Sequence, residues 1–193
     1  MKRNLFLLLF AIATLSTFAQ TTSEHLTFKG VPIDGTLTEF VSKLKQKGLT
    51  HIGTEDGTAI LKGDFAAYKN CTVAAIALKQ KNLVAKVGVM FSSLETWSSL
   101  SNNYFSLKEM LTKKYGEPEV CIEFQTKIMQ NDDNSKIHEV RMNRCKYVTG
   151  YTTEKGDIEL QIKGSFTDGC YVTLIYFDKI NGEVIEAEAM EDL

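Results

Sequence analysis

Four cysteines are the side chains of this chain best suited to covalent chemistry. They are Cys71, Cys121, Cys145 and Cys170 in a chain of 193 residues. In an oxidising compartment an even number of cysteines predicts disulfide bonds, and four cysteines allow three connectivities. The alternative interpretation is four buried, reduced thiols that pack as small apolar side chains.

The pattern around two of these cysteines favours one bridge. Residues 120–128 alternate apolar and polar side chains, and residues 138–151 form a second extended run beyond the polar residues 131–134. This arrangement is typical of a β-hairpin. With the turn centred in the polar residues, Cys121 lies opposite Cys145, so we expect a disulfide between them.

By elimination, Cys71 is then expected to pair with Cys170. This bridge would close a loop of about 100 residues, for which the chain-entropy model gives roughly 4.7 kcal/mol of stabilisation. It would tie the first half of the chain to the second.

The residues that commonly bind metals or catalyse reactions form no recognisable motif. His25, His51 and His138 lie far apart in the sequence and lack the paired spacing of a zinc site. The glycine-bearing segments 53–58 and 164–169 lack the lysine and the following helix of a phosphate-binding loop. The sequence therefore predicts no metal and no cofactor, names no catalytic residue, and favours a non-catalytic role over an enzymatic one.

Aromatic residues suggest binding instead. Tyr147, Tyr151 and Tyr171 lie in predicted strands of the second half of the chain. An exposed tyrosine can stack on a sugar or anchor a protein, because its ring is apolar and its hydroxyl is polar. We expect these three residues to form a binding surface for a protein or a glycan, whereas Trp97 is expected in the core.

The composition limits the range of partners. Charged residues make up 24% of the chain and apolar residues 44%, and the formal net charge is −2. These values are typical of a folded globular protein. A chain without excess positive charge offers no field that attracts nucleic acid or anionic lipid, so a nucleic-acid partner is not expected.

The first nineteen residues have the order of a secretory signal peptide. Lys2 and Arg3 precede an apolar run over residues 5–15, and the small residue Ala19 ends the segment. The apolar run is about half the length of roughly twenty residues that a membrane-spanning helix needs. We expect cleavage after Ala19, no stable membrane anchor after cleavage, and a mature protein in the periplasm or outside the cell.

Two helices are predicted from their capping residues and apolar spacing. The first spans residues 37–47 and begins with a Thr36/Glu39 capping box. The second spans residues 94–115 and begins with a Ser92/Glu95 capping box. Apolar residues recur at intervals of three and four in both, so each helix should pack one face on a sheet.

Eight strands are predicted, four after each helix. Short polar links and the lack of a helical crossover favour antiparallel pairing, so the predicted fold class is α+β with two helices packed on antiparallel sheet. The repeated order indicates either a duplicated helix-plus-four-strand unit or two unrelated halves. The predicted strands cover residues 50–53, 59–65, 71–78 and 83–91 in the first half and 120–128, 140–151, 157–163 and 171–177 in the second.

The mature chain has the length of one ordinary domain. We expect the signal peptide over residues 1–19 and a single α+β domain over residues 20–182, with lobes at 28–91 and 92–178. Glutamates cluster in residues 183–193, which is typical of a solvated acidic tail.

Several short segments carry a resemblance to known proteins. They are Phe28-Lys29-Gly30-Val31-Pro32-Ile33-Asp34-Gly35-Thr36, Gly63-Asp64-Phe65, Tyr68-Lys69-Asn70-Cys71, Trp97 and Lys114-Tyr115-Gly116-Glu117-Pro118. Together they resemble an uncharacterised family of small exported bacterial proteins, which implies export but no particular activity. The repeated order of helix and sheet is also similar to that of duplicated, two-lobed inhibitor proteins that bind secreted enzymes.

These observations favour one function over two others. We expect an exported, soluble, non-catalytic binding module whose sheet surface holds a partner. The alternatives are a secreted hydrolase whose carboxylates converge only in the fold, and an envelope-assembly or structural factor. Two facing carboxyls with raised pKa in a cleft would favour the enzyme, whereas an exposed flat aromatic patch would favour the binding module.

Overall fold

The computed structural model describes residues 24–78, 81–124 and 132–191 of the chain. These residues form an α+β fold with four helices, an eight-stranded antiparallel sheet and a small two-stranded sheet. The predicted fold class is confirmed, whereas the predicted number of two helices is wrong. The predicted signal peptide lies outside the described residues.

The elements alternate between helices and groups of strands along the chain. The helices are α1 (Leu37–Gln46), α2 (Trp97–Tyr115), α3 (Asp133–Arg141) and α4 (Lys179–Glu191). The strands are β1 (Thr27–Phe28), β2 (Val31–Pro32), β3 (Thr50–Glu55), β4 (Thr58–Phe65), β5 (Tyr68–Leu78), β6 (Leu83–Met90), β7 (Val120–Phe124), β8 (Lys146–Thr153), β9 (Gly156–Ser165) and β10 (Gly169–Asp178).

The large sheet joins the two groups of four strands through its middle. Its strand order is β3-β4-β5-β6-β10-β9-β8-β7, and every neighbouring pair is antiparallel. Strands β6 and β10 pair with Val89 opposite Leu174. The last strand of each group therefore lies at the centre of the sheet, and the first strand of each group, β3 or β7, lies at an edge.

Local signals account for the starts of the first two helices. The Thr36/Glu39 capping box is formed at the start of α1, as predicted. Helix α2 instead starts at Trp97, because the Thr96 hydroxyl accepts a hydrogen bond from the Ser99 backbone. The Ser92/Glu95 capping box is therefore wrong. Trp97 is buried, as predicted.

Helix α3 replaces part of a predicted hairpin. The polar run before it contains the helix N-cap, because an Asp132 carboxylate oxygen accepts a 3.0 Å hydrogen bond from the backbone N–H of Ser135. Ile137 and Val140, three residues apart, are buried on one face of the helix. The predicted strand over residues 140–151 therefore begins only at Lys146. The predicted continuation of β7 to residue 128 lies outside the described residues from 125 onward.

The acidic segment near the C-terminus is helical. Helix α4 continues directly from β10 and includes most of the predicted acidic tail. Its Asn181 is buried, and Glu188 lies 3.9 Å from the ammonium group of Lys81. Residues 183–191 are thus helical, and Glu183 and Glu186 of this helix are exposed to solvent.

The two sides of the large sheet differ because side chains alternate along each strand. Helices α1, α2 and α3 and the small sheet cover one side, which we call the covered face, and its residues belong to one continuous apolar core. The central strand β10 contributes Val172, Leu174 and Tyr176 to that core. Burying one such large side chain stabilises the fold by about 1.5–3 kcal/mol.

Two hairpins of the covered face use a glycine opposite a cysteine. Gly63 pairs with Cys71 between β4 and β5, and Gly164 pairs with Cys170 between β9 and β10. A Cβ atom on Gly63 would lie 2.7 Å from the Cδ2 atom of Leu49, just after α1, and one on Gly164 would lie 2.8 Å from a methyl carbon of α3. Only glycine allows such close packing.

Candidate functional site

The four cysteines do not form the predicted disulfides. All are free thiols, and no pair among them lies at disulfide distance. Cys121 lies opposite Thr149 rather than Cys145, a difference of four residues in register. The reason is α3, which occupies part of the chain that was interpreted as the second arm of a hairpin. The Cys71–Cys170 bridge, which rested on the first bridge by elimination, is not formed either.

Three of the thiols belong to the core. Cys71, Cys145 and Cys170 are buried, and burial raises the pKa of each thiol. A raised pKa keeps a thiol protonated and poorly nucleophilic. The alternative prediction of buried, reduced cysteines therefore describes these three. Cys121 is exposed, with its sulfur 3.1 Å from the ammonium nitrogen of Lys108.

The three predicted surface tyrosines are not brought together. Tyr147 and Tyr151 are buried on the covered face, where Tyr147 packs against Trp97 and the Tyr151 hydroxyl donates to the Lys108 carbonyl. These two predictions are wrong, because the helices cover the side of β8 to which both rings point. Tyr171 lies on the opposite side of the sheet and is half-buried.

A polar network missed in the sequence holds the start of the described chain. The Asp178 carboxylate is 1% exposed and accepts hydrogen bonds from the backbones of Leu26 (2.7 Å) and Asn181 (3.0 Å). The His25 ring nitrogen Nδ1 lies 2.9 Å from the same carboxylate. His25 thus connects the start of the described chain to Asp178, 153 positions later. The other two histidines do not join this network: His51 lies 2.9 Å from Thr54, and His138 lies near Phe166.

The sheet side opposite the helices is a candidate binding surface, which we call the open face. One row crosses all eight strands, and its residues lie side by side in the register. This central row is Gly53, Ile60, Ala74, Gly88, Ile175, Glu159, Gly150 and Val120. All of these residues are half-buried or exposed.

Two flanking rows extend the open face on either side of the central row. Most of their residues are apolar or bear a hydroxyl group, and Met90 and Ile122 are exposed by 39% and 45%. One row is Thr58, Ile76, Lys86, Phe177, Asp157 and Thr152, and the other is Lys62, Thr72, Met90, Thr173, Gln161, Val148 and Ile122.

The middle of the open face has space above it. A Cβ atom added to Gly88 in the central strand β6, or to Gly53 in the edge strand β3, would meet no atom of the described residues within 4 Å. Helix α4 contacts the strands β6, β9 and β10 at one end of this face, where Gly182 and Ile185 line a cavity of about 340 Å³ together with Phe177. The centre of the sheet is thus open to a partner on this side, whereas on the other side it is packed.

A groove crosses the open face beside the edge strand. Its volume is about 400 Å³, and Gly150 forms part of its lining between Val120 and Glu159, the neighbours of Gly150 in the central row. Phe177 and Asp157 lie on the next strands along the groove. The groove therefore combines apolar walls with carboxylates.

The described ranges hold neither a metal-binding cluster nor a membrane-spanning helix. No group of three or more histidine, cysteine, aspartate or glutamate side chains in residues 24–78, 81–124 and 132–191 is arranged to hold a metal ion. No helix in the same part of the chain is both long enough and apolar enough to cross a membrane.

Comparison of the chain with protein-family models, with curated proteins and with solved structures gives no match. The resemblance to a family of small exported bacterial proteins stays a prediction.

The residues of the open face could have been found in part from the sequence. Asp157 and Glu159 alternate with the apolar Ile158 and Leu160, which places the two carboxylates on one side of a strand. That alternation does not show that Glu119 lines the same groove. The position of Glu119 depends on how β7 pairs with β8, and this register was predicted incorrectly.

Proposed function

We propose that this protein is an exported, non-catalytic binding module that holds a partner protein on the open face. The observation that carries this proposal is the central row, which crosses all eight strands without a helix of the described residues over its middle. Eight strands at about 4.8 Å spacing make a face about 34 Å wide. That width suits a protein interface of about 800 Å² on each partner.

The chemistry of the open face favours a protein over a glycan. Sugar-binding surfaces depend on exposed aromatic rings, and the aromatic residues here are the half-buried Tyr171 and Phe177. Small and aliphatic side chains dominate the rows, with exposed Met90, Val120 and Ile122 among them. An extended apolar surface bordered by charges is typical of a protein-docking surface.

The hydrolase alternative is less well supported. A general acid needs a carboxyl group whose pKa is raised by burial or by a neighbouring carboxylate. Among the described residues, every carboxyl group whose pKa clearly departs from the ordinary value has a lowered pKa, as at Glu123, where the Lys108 ammonium donates a hydrogen bond. Lowered values belong to ion pairs and hydrogen bonds rather than to a proton donor.

Export is the part of the proposal that rests on sequence alone. It is supported by the basic start, the short apolar run and Ala19. The mass of the protein recovered from producing cells tests it. We expect a mature chain that begins at Gln20, outside the cytoplasm. A full-length chain retained in the cytoplasm would contradict export but would leave the binding surface to be judged separately.

We also infer that the two halves derive from a duplicated unit. Thr54-Glu55-Asp56-Gly57 and Thr153-Glu154-Lys155-Gly156 lie at equivalent hairpin turns, and each is followed by a Lys-Gly-x-Phe segment and a cysteine. Gly57 precedes Cys71 by fourteen residues, and Gly156 precedes Cys170 by the same number. Homologous chains should keep the glycine–cysteine pair in both hairpins. A family that keeps the pair in one hairpin only would contradict the duplication.

Site-specific photocross-linking tests the proposed binding surface. The photoreactive residue p-benzoyl-L-phenylalanine would replace Ala74 or Thr152 on the open face in cells that produce the protein. Phe105 and Met110, each 43% exposed on α2, are the matched positions on the other side of the molecule. We expect one discrete cross-linked product, formed from the two open-face positions and absent from the two helix positions.

Either of two results would contradict the binding surface. One is the absence of any cross-linked product from Ala74 and Thr152 while the variants keep the melting temperature of the wild-type protein. The other is the same product from all four positions, because a specific interface is confined to one side of the molecule.

A further inference from the structure

The groove on the open face has a shape that suits one long side chain. It lies over Gly150, where β8 has no side chain, and the walls include Val120 and Val148. Its volume of about 400 Å³ is at the lower end of the range for small-ligand sites. Aliphatic walls on both sides can pack against the methylene groups of a lysine or an arginine.

Carboxylates surround the same groove. Glu119, Asp157 and Glu159 all contribute to its lining. The ion pairs formed between described residues include none of these three carboxylates. Glu159 accepts a hydrogen bond from the Gln161 side-chain amide. The groove therefore carries negative charge without a cation paired to it by the described part of the chain.

The aromatic ring at the end of the groove shows which sign of charge this part of the open face attracts. The ammonium nitrogen of Lys86 lies 4.7 Å from the centre of the Phe177 ring, so this ring already holds a positive group on the open face. Lys86 and Phe177 are direct neighbours in the register, and Asp157 follows Phe177 in the same row. The ring and the carboxylates thus favour the same sign of charge.

On the basis of the proposed function, we propose that the groove receives an arginine or lysine side chain of the partner protein. The methylene groups pack over Gly150 between Val120 and Val148, and the cationic end lies among Glu119, Asp157 and Glu159. An apolar side chain fits less well, because it would remove water from these carboxylates without replacing the lost hydrogen bonds. An acidic side chain would be repelled.

A titration with a small cationic probe tests this assignment directly. The probe is N-acetyl-L-arginine N-methylamide, added to ¹⁵N-labelled protein produced from the full chain. Its control is N-acetyl-L-norleucine N-methylamide, which has an aliphatic side chain without the charge. We expect saturable shifts of the backbone amide signals of Gly150 and Val120 with the arginine probe, and at least threefold weaker binding of the norleucine probe.

Charge-neutral variants identify the carboxylates that bind the probe. In the double variant Asp157→Asn and Glu159→Gln, the affinity for the arginine probe should fall by about threefold to tenfold, because the charge interactions of the exposed Asp157 and the half-buried Glu159 are lost. The control is Asp64→Asn with Glu109→Gln, which removes the same charge from exposed positions outside the groove. This control variant should bind the probe as the wild-type protein does.

Three results would overturn the assignment. They are shifts that do not saturate, equal binding of both probes, and equal loss of affinity in the groove variant and the control variant. If the double variant does not fold, Glu119→Gln replaces it, because Glu119 precedes β7 and is exposed at the edge of the sheet, where a substitution has little effect on folding.

The failure of this inference can be distinguished from the failure of the proposed function. In one outcome, the photoreactive residue at position 74 or 152 still cross-links to a partner, and the groove variant keeps both its affinity for the arginine probe and the yield of the cross-link. The open face then binds a partner without a cation in the groove. If the open-face positions give no cross-link at all, the proposed function fails, whatever the probe does.

Discussion

The covered face and the open face are made by the same strands but carry different chemistry. Leu174 and Ile175 are adjacent in the central strand β10, yet Leu174 is 1% exposed beneath the helices and Ile175 is half-buried on the open side. The covered face fills its space to the point that Gly63 and Gly164 leave no room for a Cβ atom. The open face leaves space above Gly53 and Gly88. The difference separates residues that maintain the fold from residues that can meet a partner.

The largest effect is expected from the adjacent pair Leu174 and Ile175. Leu174→Ala should lower the free energy of unfolding by about 2–5 kcal/mol, because it leaves a cavity in a packed core. Ile175→Ala should lower it by less than about 2 kcal/mol, since its side chain is already half exposed. Urea unfolding of both variants measures the comparison. Equal losses would show that something buries the open face as deeply as the covered face.

The next largest difference in stability is expected between alanine variants of two glycines. Gly63→Ala should destabilise the fold by about 1–3 kcal/mol, because its Cβ atom would lie 2.7 Å from Leu49 and 3.1 Å from the Gly48 carbonyl oxygen. Gly88→Ala should have no destabilising effect, since its Cβ atom would meet no atom of the described residues within 4 Å. Thermal unfolding followed by circular dichroism measures both. A Gly88→Ala variant that is as unstable as Gly63→Ala would contradict the open face.

A smaller effect is expected at a buried hydroxyl pair. The Tyr104 and Thr149 hydroxyl oxygens lie 2.6 Å apart in the core, and burial raises the pKa of Tyr104 to about 12. Tyr104→Phe leaves the Thr149 hydroxyl without this partner and should cost about 1–2 kcal/mol. Tyr171→Phe on the open face is the matched control and should change the unfolding free energy by less than about 0.5 kcal/mol. The denaturant unfolding midpoints of the two variants measure this difference in stability.

The smallest effect is expected at the edge of the covered face. Lys108 donates a 2.7 Å hydrogen bond to Glu123 and thereby lowers the pKa of that carboxyl group. The pair therefore stabilises the fold above the ordinary glutamate pKa of about 4.3, and this contribution is lost as the pH falls through the lowered folded-state pKa. Glu123→Gln should remove no more than about 1 kcal/mol at pH 7. Urea midpoints at pH 7 and pH 3 should differ less in the variant than in the wild-type protein.

Alternation and capping were sufficient to predict much of the sheet and one helix. The ends of the strands in the first half were predicted to within three residues, because apolar and polar residues alternate there between clear turns. The capping box of α1 was confirmed because both of its hydrogen bonds are local. Such signals depend only on residues close in the sequence.

The errors arose where one residue type serves two local structures. The aspartates and asparagines at 131–134 were interpreted as a turn, yet Asp132 caps α3. That error shifted the register of β7 and produced the incorrect Cys121–Cys145 pair.

Tyr147 and Tyr151 were assigned to the surface for another reason. Alternation shows that two residues share a face but does not show which face the helices cover.

The most direct test of the open face is a comparison of two charge insertions in the producing cell. Ile175→Arg places a large charge at the centre of the open face, and Phe105→Arg places the same charge on the exposed side of α2. Both variants must first show a cooperative unfolding transition. The cross-linked product from Thr152 is then measured in each background. We expect Ile175→Arg to abolish that product and Phe105→Arg to leave it unchanged. An unchanged product in the Ile175→Arg background would contradict the assignment of the open face as the binding surface.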